Sequence, residues 1–149
     1  MAELEEKDWD ILRELVKDGR ASYRKLAKKL GMHPATLIKR IERMEKEGMV
    51  RGYSANVDLF NLGYEFIAII EIIISKGALL EVQEKIRTMP GILGIYDVTG
   101  EYDSIVIAAC KNRQSLSALV KKILAIKDVE RTNTHIILNI IKDRYEFVP

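Results

Sequence analysis

A link of only three residues, 31–33, joins two short segments that both have helical periodicity. The first segment ends at Gly31, and the second begins with Pro34, which sacrifices no hydrogen bond in the first turn of a helix. Apolar residues that recur on one face of each segment are Leu26, Ala27, Leu30, Leu37, Ile41 and Met44. Two short helices joined by a tight turn containing glycine predict a helix-turn-helix.

A third amphipathic helix precedes this pair. Its apolar face is formed by Ile11, Leu12, Leu15 and Val16, and the Asp18-Gly19 pair ends it. Ser22 is placed to cap the helix that follows, and Gly48 is placed to end the last of the three. The first third of the chain is therefore predicted to be a small bundle of three helices.

Charge is distributed unevenly along the 149 residues, although the net charge is only +2. Residues 1–19 contain three Lys or Arg against seven Asp or Glu, whereas residues 20–51 contain ten against three. Residues 62–149 contain eleven of each sign. A local basic excess on two adjacent helices favours a polyanionic partner such as DNA. The alternative is a solvated helix face whose cations pair with neighbouring glutamates.

In a helix-turn-helix the N-terminal half of the second helix enters the major groove of DNA. Small residues there permit close approach, an arginine can pair with a guanine edge, and basic residues on the preceding helix can contact phosphates. We expect Arg40→Ala to weaken sequence-specific binding. The predicted DNA-binding residues are Arg24, Lys25, His33, Ala35, Thr36, Lys39, Arg40 and Arg43.

The remainder of the chain alternates strand and helix patterns in the order βαββαβ, which is the ferredoxin-like arrangement of an α+β fold. The predicted elements are strands at Glu65–Ser75, Ile92–Val98, Ser104–Cys110 and Thr132–Ile141, and helices at Leu79–Met89 and Ser115–Ala125. Residues 49–57 are predicted to be extended, and residues 58–63 to be a linker. We therefore expect a DNA-binding domain at 1–61 and a second domain at 62–149.

Three predicted strands are almost continuously apolar, in Phe66–Ile74, Ile105–Cys110 and Ile136–Ile141. Only Glu71 and Asn139 interrupt them. Continuous apolar strands require both faces of a sheet to be covered, and two helices can cover only one. We expect a second subunit to pack on the other face and form a symmetric homodimer. The alternative is that the N-terminal helices fold over that face.

Enzyme chemistry and metal binding are not indicated by the sequence. The single cysteine, Cys110, cannot form an internal disulfide and is predicted to be a core residue, which suits a reducing cytoplasm. His33 and His135 lack neighbours at ligand spacing, and no nucleotide-binding or nucleophile motif occurs. We predict no catalytic activity and no cofactor. No apolar run approaches the roughly 20 residues of a membrane span, and the acidic N-terminus does not fit a signal peptide.

Fragments along nearly the whole chain resemble the Lrp/AsnC family of transcription regulators, also called feast/famine regulators. In the N-terminal third they are Leu4, Asp8, Ile11-Leu12, Leu15, Asp18-Gly19-Arg20, Leu26-Ala27, Pro34-Ala35-Thr36, Arg40-Ile41, Met44-Glu45, Gly48-Met49-Val50 and Gly52-Tyr53. Further on they are Leu62-Gly63, Val98-Thr99-Gly100-Glu101-Tyr102-Asp103 and Val129-Glu130-Arg131-Thr132-Asn133-Thr134. The order and spacing make the resemblance specific.

The resemblance implies an N-terminal winged helix-turn-helix and a C-terminal ferredoxin-like effector domain. It implies dimers that assemble into octamers or similar discs, with an amino acid as effector at the contact between dimers. The effector-binding residues that it implies are Gly100, Tyr102, Asp103, Thr132 and Thr134. The carboxylate of Asp103 could hold an ammonium group, or it could only cap backbone groups in a turn. His33 stands where the family usually has serine or threonine.

Two rival functions are compatible with the same scaffold. One is an architectural protein that compacts DNA with little sequence preference, which a footprint against competitor DNA would separate from a regulator. The other is an enzyme similar to the siroheme decarboxylases, which resemble this family but have a degenerate helix-turn-helix region. The intact basic helix in this chain argues against the enzyme.

Overall fold

The computed structural model describes residues 3–143 and 147–149, which form five helices and four strands. The helices are α1 (Glu6–Lys17), α2 (Tyr23–Lys29), α3 (Pro34–Lys46), α4 (Leu79–Arg87) and α5 (Arg113–Leu124). The strands are β1 (Phe66–Ile74), β2 (Ile92–Asp97), β3 (Ser104–Cys110) and β4 (Val129–Ile136). Within the described part of the chain, no helix is long and apolar enough to cross a membrane.

Two compact units contain these elements. The first combines the described residues up to Asn56 with those from Ile141 onward, and the second is Val57–Ile140. The sequence predicted the boundary at residue 61, five residues after the end of the first unit at Asn56. The prediction also placed the residues from Ile141 onward in the second domain. In the structure, the Nε of Arg13 in α1 donates a hydrogen bond to the carbonyl oxygen of Pro149 at 2.9 Å, which joins the chain end to the helical unit.

The helical unit packs around the apolar faces of α1, α2 and α3. Ile11, Leu37, Ile41 and Met44 are completely or almost completely buried, and Leu15, Leu26 and Ala27 complete the cluster. Val16, expected on the inner face, is instead 44% exposed. The buried faces are those that the periodicity of the sequence predicts, and they bring α2 against α3 across the short link.

The link between α2 and α3 has the geometry of a tight turn. Gly31 adopts a φ of +61°, a conformation that glycine accepts without steric cost, and the N–H of Met32 donates to the carbonyl of Ala27 at 2.9 Å. The hydroxyl of Ser22 accepts a hydrogen bond from the N–H of Lys25 and caps α2 as predicted. The structure therefore contains the predicted helix-turn-helix.

The segment after α3, predicted to be extended, forms no strand among the described residues. The N–H groups of Met49 and Val50 both donate to the carbonyl of Met44, so the chain wraps around the end of the helix. Residues 51–57 then run without a ladder partner and are exposed. The expected linker at 58–63 is a series of turns, held partly by hydrogen bonds from Asn61 to Asp58.

The second unit is an antiparallel sheet with the strand order β2-β3-β1-β4. Residues that pair directly across two strands lie on the same face of the sheet. One face packs against α4 and α5 through Ala68, Ile70, Ile72, Val106 and Ala108, which are completely buried. The order βαββαβ and the central position of β1 and β3 are those of the predicted ferredoxin-like fold.

The other face of the sheet, which we term the helix-free face, carries Ile69, Glu71, Ile73, Ile105 and Ile107 at its centre. All five are only partly buried in the chain. Tyr96 of β2 and Arg131, Asn133 and His135 of β4 lie beside them in register. Along β1 and β3, buried side chains on the helix side thus alternate with partly exposed, mostly apolar side chains on the helix-free face.

Strand β4 was predicted too late in the sequence. It begins at Val129 and ends at Ile136, whereas the prediction ran from Thr132 to Ile141. Beyond the end of β4, the N–H of Ile137 still donates a hydrogen bond to the carbonyl of Ile67 in β1 at 2.8 Å. Residues 138–141 are exposed outside any strand, and Leu138 is 94% exposed. The apolar run at 136–141 is therefore no evidence for a covered strand.

Cys110 lies in the core of this unit, as predicted. It is 6% exposed, and burial raises the pKa of its thiol, which keeps the sulfur protonated and unreactive.

Candidate DNA-binding and effector sites

The predicted DNA-binding residues divide into two groups in the structure. Six are exposed on α2, on α3 or at the turn between them, and are free to meet a partner: Arg24, Lys25, His33, Ala35, Thr36 and Lys39. Arg40 and Arg43 are only partly exposed, because both side chains turn toward α1. The first six side chains are thus exposed on the helix-turn-helix, whereas the last two pair with a carboxylate of α1.

His33 acts as the N-cap of α3. Its backbone is extended, and its Nδ1 accepts a hydrogen bond from the N–H of Ala35 at 3.3 Å. Pro34 follows at the first helical position. The imidazole thus takes the capping role that a serine or threonine hydroxyl usually fills.

A buried carboxylate holds the two remaining arginines. Asp8 of α1 is 0% exposed, and its oxygens accept hydrogen bonds from Arg40 Nη1 at 2.9 Å and from Arg43 Nη2 at 2.6 Å. Arg40 Nη2 also pairs with Glu5 at 2.7 Å, and the N–H of Glu5 donates to Asp8 at 3.0 Å. We call Glu5, Asp8, Arg40 and Arg43 the α1–α3 charge cluster.

Electrostatics within the α1–α3 charge cluster favour the ionised form of Asp8. Burial raises the pKa of its carboxyl group, but hydrogen bonds from Arg40, from the backbone of Glu5 and from Arg43 outweigh that effect and lower the pKa below 3.8. Among the described residues, the Nε of Arg43 is buried without a hydrogen-bond partner. The cluster fixes the angle of α3 against α1.

The sequence-based role of Arg40 as a base-reading side chain has no support in this geometry. Its guanidinium group already pairs with two carboxylates, and its side chain is only 21% exposed. The local sequence pattern of α3 does not show that Arg40 and Lys39 have different roles. The partner that distinguishes them, Asp8, is 32 residues away in the sequence.

A second site lies in the C-terminal unit. An open cavity of about 560 Å³ is lined by Glu71 and Ile105 of the helix-free face and by Asp97, Val98, Thr99, Glu101 and Tyr102 at the turn between β2 and β3. A cavity of this size is within the range of small-molecule sites. The turn is the one that the family resemblance assigns to the effector.

Tyr102 is the one predicted effector residue that lines the cavity. Its hydroxyl accepts a hydrogen bond from Arg131 Nη2 at 3.1 Å, and the guanidinium carbon of Arg131 lies 5.8 Å from the centre of the tyrosine ring. Arg131 also pairs loosely with Glu101 at 3.5 Å. A cation, an aromatic ring and a carboxylate therefore meet at this turn.

Gly100 and Asp103 shape the turn without lining the cavity. Gly100 has a φ of +126°, which side-chain-bearing residues rarely adopt. The carboxylate of Asp103 accepts a hydrogen bond from the N–H of Ile74 at 2.8 Å, and the N–H of Asp103 donates to Ile72 at 3.0 Å. Of the two roles considered for Asp103, the structure shows the capping of backbone groups.

Thr132 and Thr134 are not brought to the cavity. Thr132 pairs with Ile72 and Thr134 pairs with Ile70, so both threonines share the sheet face that packs against the helices. Their neighbours Arg131, Asn133 and His135 occupy the helix-free face instead. Side chains alternate between the two faces along a strand, so the register places both threonines on the opposite face from Arg131, Asn133 and His135.

Glu71 is one of three cavity residues, with Asp97 and Ile105, that lie outside the family pattern. Its Oε2 accepts a hydrogen bond from Asn133 Nδ2 at 2.9 Å and lies 3.0 Å from Nε2 of His135. Hydrogen bonds from His135 and Asn133 lower the pKa of this carboxyl group. Its signal in the sequence is that it alone interrupts the apolar run Phe66–Ile74.

Comparison with known proteins finds a family match for each of the two units. Residues 4–51 match the family model of a winged helix-turn-helix DNA-binding domain, and residues 67–147 match the model of the Lrp/AsnC ligand binding domain. An uncharacterized HTH-type transcriptional regulator of Pyrococcus abyssi is 38% identical over 146 residues, which cover 98% of this chain and 99% of that protein.

Solved structures share the fold over almost the whole chain. AsnC of Escherichia coli superposes with a TM-score of 0.89 at 28% identity, covering 96% of this chain and 97% of that one. A transcriptional regulator from Neisseria meningitidis, solved as a complex with L-Met, gives a TM-score of 0.89 at 25% identity, covering 95% and 94%.

A helix-turn-helix unit and a ferredoxin-like unit with a cavity at its sheet define a DNA-binding transcription regulator with a ligand-binding domain. The chain belongs to the Lrp/AsnC family of transcription regulators.

Proposed function

We propose that this regulator binds specific DNA sequences as a homodimer or a larger assembly and responds to an amino acid bound in its C-terminal unit. The exposed basic surface of α2 and α3 supports specific DNA binding, and the cavity at the β2–β3 turn supports the effector. The observation that carries the proposal is the cavity, because it places the loop of the ligand-binding family around a volume that suits a small molecule.

On the DNA-binding surface, the residues that α3 exposes in its first two turns are Pro34, Ala35, Thr36 and Lys39. Arg24 and Lys25 on α2 are exposed and suited to phosphate contacts. We therefore remove Arg40 and Arg43 from the set of direct contacts and assign them to the α1–α3 charge cluster. DNA recognition then depends on the first half of α3, with the arginines holding that helix in place.

Salt dependence separates a phosphate contact from a structural arginine. We expect Lys25→Ala to reduce the slope of log affinity against log salt by roughly one, because one fewer counterion is released. We expect Arg40→Ala to leave this slope unchanged, since its guanidinium group already has two carboxylate partners. Fluorescence anisotropy with a footprinted operator at four salt concentrations measures both slopes.

If Lys25→Ala and Arg40→Ala reduce the slope of log affinity against log salt equally, Arg40 contacts DNA directly. Lys122→Ala is the matched control, because this exposed lysine lies on α5 in the other unit and should leave both affinity and slope unchanged.

Dimerisation is proposed to occur through the helix-free face. Ile69, Ile73, Ile105 and Ile107 are partly exposed there, although side chains of this kind are usually buried. A twofold axis would place two identical apolar faces together, as sheet-on-sheet packing requires. Further assembly into octamers or similar discs remains part of the proposal on the strength of the family resemblance.

The effector proposal predicts ligand-dependent stability. At least one of the twenty amino acids should raise the unfolding temperature of the protein, because a ligand that binds only the folded state at about 100 times its Kd adds roughly 2.7 kcal/mol. Tyr102→Ala should remove this shift, whereas Tyr64→Ala should retain it, since Tyr64 lies in the same unit but contacts Lys111 rather than the cavity. A thermal-shift screen provides the measurement. If the ligand still raises the unfolding temperature of the Tyr102→Ala variant, the effector does not bind in this cavity.

A further inference from the structure

A carboxylate–imidazole pair lies on the helix-free face of the sheet. Glu71 occupies this face between Ile69 and Ile73 of β1, and its Oε2 lies 3.0 Å from Nε2 of His135 on β4. In a single chain both side chains still reach solvent, since 23% of Glu71 and 54% of His135 are exposed. The homodimer proposed above covers this face, so association changes the surroundings of the pair.

Covering Glu71 requires a counter-charge, because a carboxylate buried without one is costly. Hydrogen bonds from His135 and Asn133 lower the pKa of the Glu71 carboxyl group, so it is ionised at neutral pH. Asn133 donates from Nδ2 to Oε2 at 2.9 Å, but an amide adds no charge. In the part of the chain that the structure describes, His135 is the residue that forms an ion pair with Glu71.

The geometry fixes one proton of this imidazole. Nε2 of His135 carries a hydrogen, because a lone pair there would face a carboxylate oxygen at 3.0 Å. The ring is neutral while Nδ1 is unprotonated, and the pair then has a net negative charge. Protonation of Nδ1 makes the ring a cation and brings the net charge of the pair to zero. Only this second state satisfies a covered Glu71.

The groups around this pair ordinarily do not titrate between about pH 6 and pH 8, whereas imidazole titrates at about pH 6.5. Strand β3 contributes uncharged residues to the face. The guanidinium group of Arg131 on β4 contacts Glu101 and Tyr102 at the β2–β3 turn. The other charged and titratable groups recorded on this face, or in the turn at its edge, are Tyr96, Asp97, Glu101, Tyr102, Asp103 and Arg131. A second copy brings the same set.

We propose, on the basis of the homodimer proposed above, that the Glu71–His135 pair makes subunit association depend on pH, with the dimer favoured when His135 is protonated. Each copy contributes one such pair to the covered face. The dimer then binds more protons than two separate chains, so association strengthens as the pH falls. The gain is complete once the imidazole is protonated in the separate chains, and it is lost as the pH rises through the titration in the dimer.

Sedimentation of the full chain without DNA tests the proposal on the unmodified protein. Fluorescence-detected sedimentation from nanomolar to micromolar concentration yields the dimer dissociation constant at about pH 6 and about pH 8. Two imidazoles titrate per dimer, and a preference of about tenfold for each imidazolium is assumed. The dissociation constant should then be about 10- to 100-fold lower at the acidic pH.

His135→Gln should remove this pH dependence, because glutamine keeps a hydrogen-bond donor but cannot gain a charge. Its dissociation constant should change by less than about threefold between the two pH values. His33→Gln is the matched control, because His33 is the other histidine of the chain and caps α3 in the helical unit. This control should retain the full pH dependence.

Glu71→Gln should reverse the pH dependence, because it removes the carboxylate that requires a counter-charge. At about pH 8 this variant should dimerise at least as tightly as the unmodified protein. Acid should then weaken its dimer, since the imidazolium would be covered without a partner. A variant with a damaged sheet would fail to dimerise at either pH, so the reversal distinguishes the charge of Glu71 from its packing.

The two proposals fail in distinguishable ways. A dimer with the same dissociation constant at both pH values would overturn the present inference and leave the homodimer standing. A pH dependence that persists in His135→Gln would overturn the role of His135. A protein that remains monomeric at micromolar concentration at both pH values would overturn the proposed homodimer and the present inference with it.

Discussion

Asp8→Ala should destabilise the helical unit by roughly 2–3 kcal/mol, because it removes a buried carboxylate that accepts hydrogen bonds from two partly exposed arginines. Asp8 is completely buried and pairs with both Arg40 and Arg43, so its removal leaves Arg40 with Glu5 alone and takes the carboxylate partner of Arg43 away. The single tryptophan of the chain, Trp9, is adjacent on α1 and reports unfolding of this unit by fluorescence. Denaturant titration of the full chain yields the free energy of unfolding.

Asp10→Ala is the matched control for this substitution. Asp10 is on the same helix, its side chain is 47% exposed, and it pairs only with Arg13, so we expect a loss below about 1 kcal/mol. A loss of that size for Asp8→Ala as well would mean that the α1–α3 charge cluster does not stabilise the unit.

The contribution of Asp8 to the free energy of unfolding should decrease in strong acid. The folded state lowers the pKa of this carboxyl group below its ordinary value of 3.8, so the unfolded state binds the proton more readily. The stabilisation is complete above that value and is lost as the pH falls through the lower pKa of the folded state. The difference in unfolding free energy between the unmodified protein and Asp8→Ala should therefore narrow only in strong acid.

Ile107→Glu should dissociate the proposed homodimer. Ile107 lies on β3 at the centre of the helix-free face, opposite Ile69, and it is only partly buried within one chain. A twofold interface would bring two such glutamates close together without partners, and unpaired or like charges at an interface cost roughly 2–5 kcal/mol. The dimer dissociation constant should rise by about 100-fold or more, which sedimentation equilibrium at micromolar concentration detects.

Leu80→Glu is the matched control for the dimer. Leu80 is 74% exposed on α4, on the helical side of the same unit, so this substitution should leave sedimentation unchanged. An unmodified protein that sediments as a monomer at micromolar concentration, or an Ile107→Glu variant that remains a dimer, would contradict the proposed interface.

Local signals in the sequence accounted for the elements and their ends in the helical unit. Ser22 and Pro34 predicted the starts of α2 and α3, and Gly31 and Gly48 predicted their ends, because caps depend on neighbours only a few residues away. The end of β4 was not predictable in this way. An apolar run such as 136–141 does not by itself indicate which of its residues pair with a neighbouring strand.

The site was only partly predictable, for a related reason. Tyr102 was identified from the family pattern, and Glu71 was visible as the one polar residue in an apolar strand, although its role was not. Thr132 and Thr134 were assigned to the effector, yet the register with Ile72 and Ile70 directs them to the helix side. Register is set by pairing across the sheet, and a shift of one residue exchanges the two faces.

The sequence by itself determined the family, the helix-turn-helix, the order βαββαβ and the basic segment, because each depends on residue type and short-range spacing. The tertiary structure decided which charges remain available. It paired Arg40 and Arg43 with the distant Asp8, left Lys39 exposed, and placed Glu71 beside Asn133 and His135 at a cavity. Contacts between residues far apart in the chain, which no local pattern encodes, separate a structural charge from one that can meet a ligand.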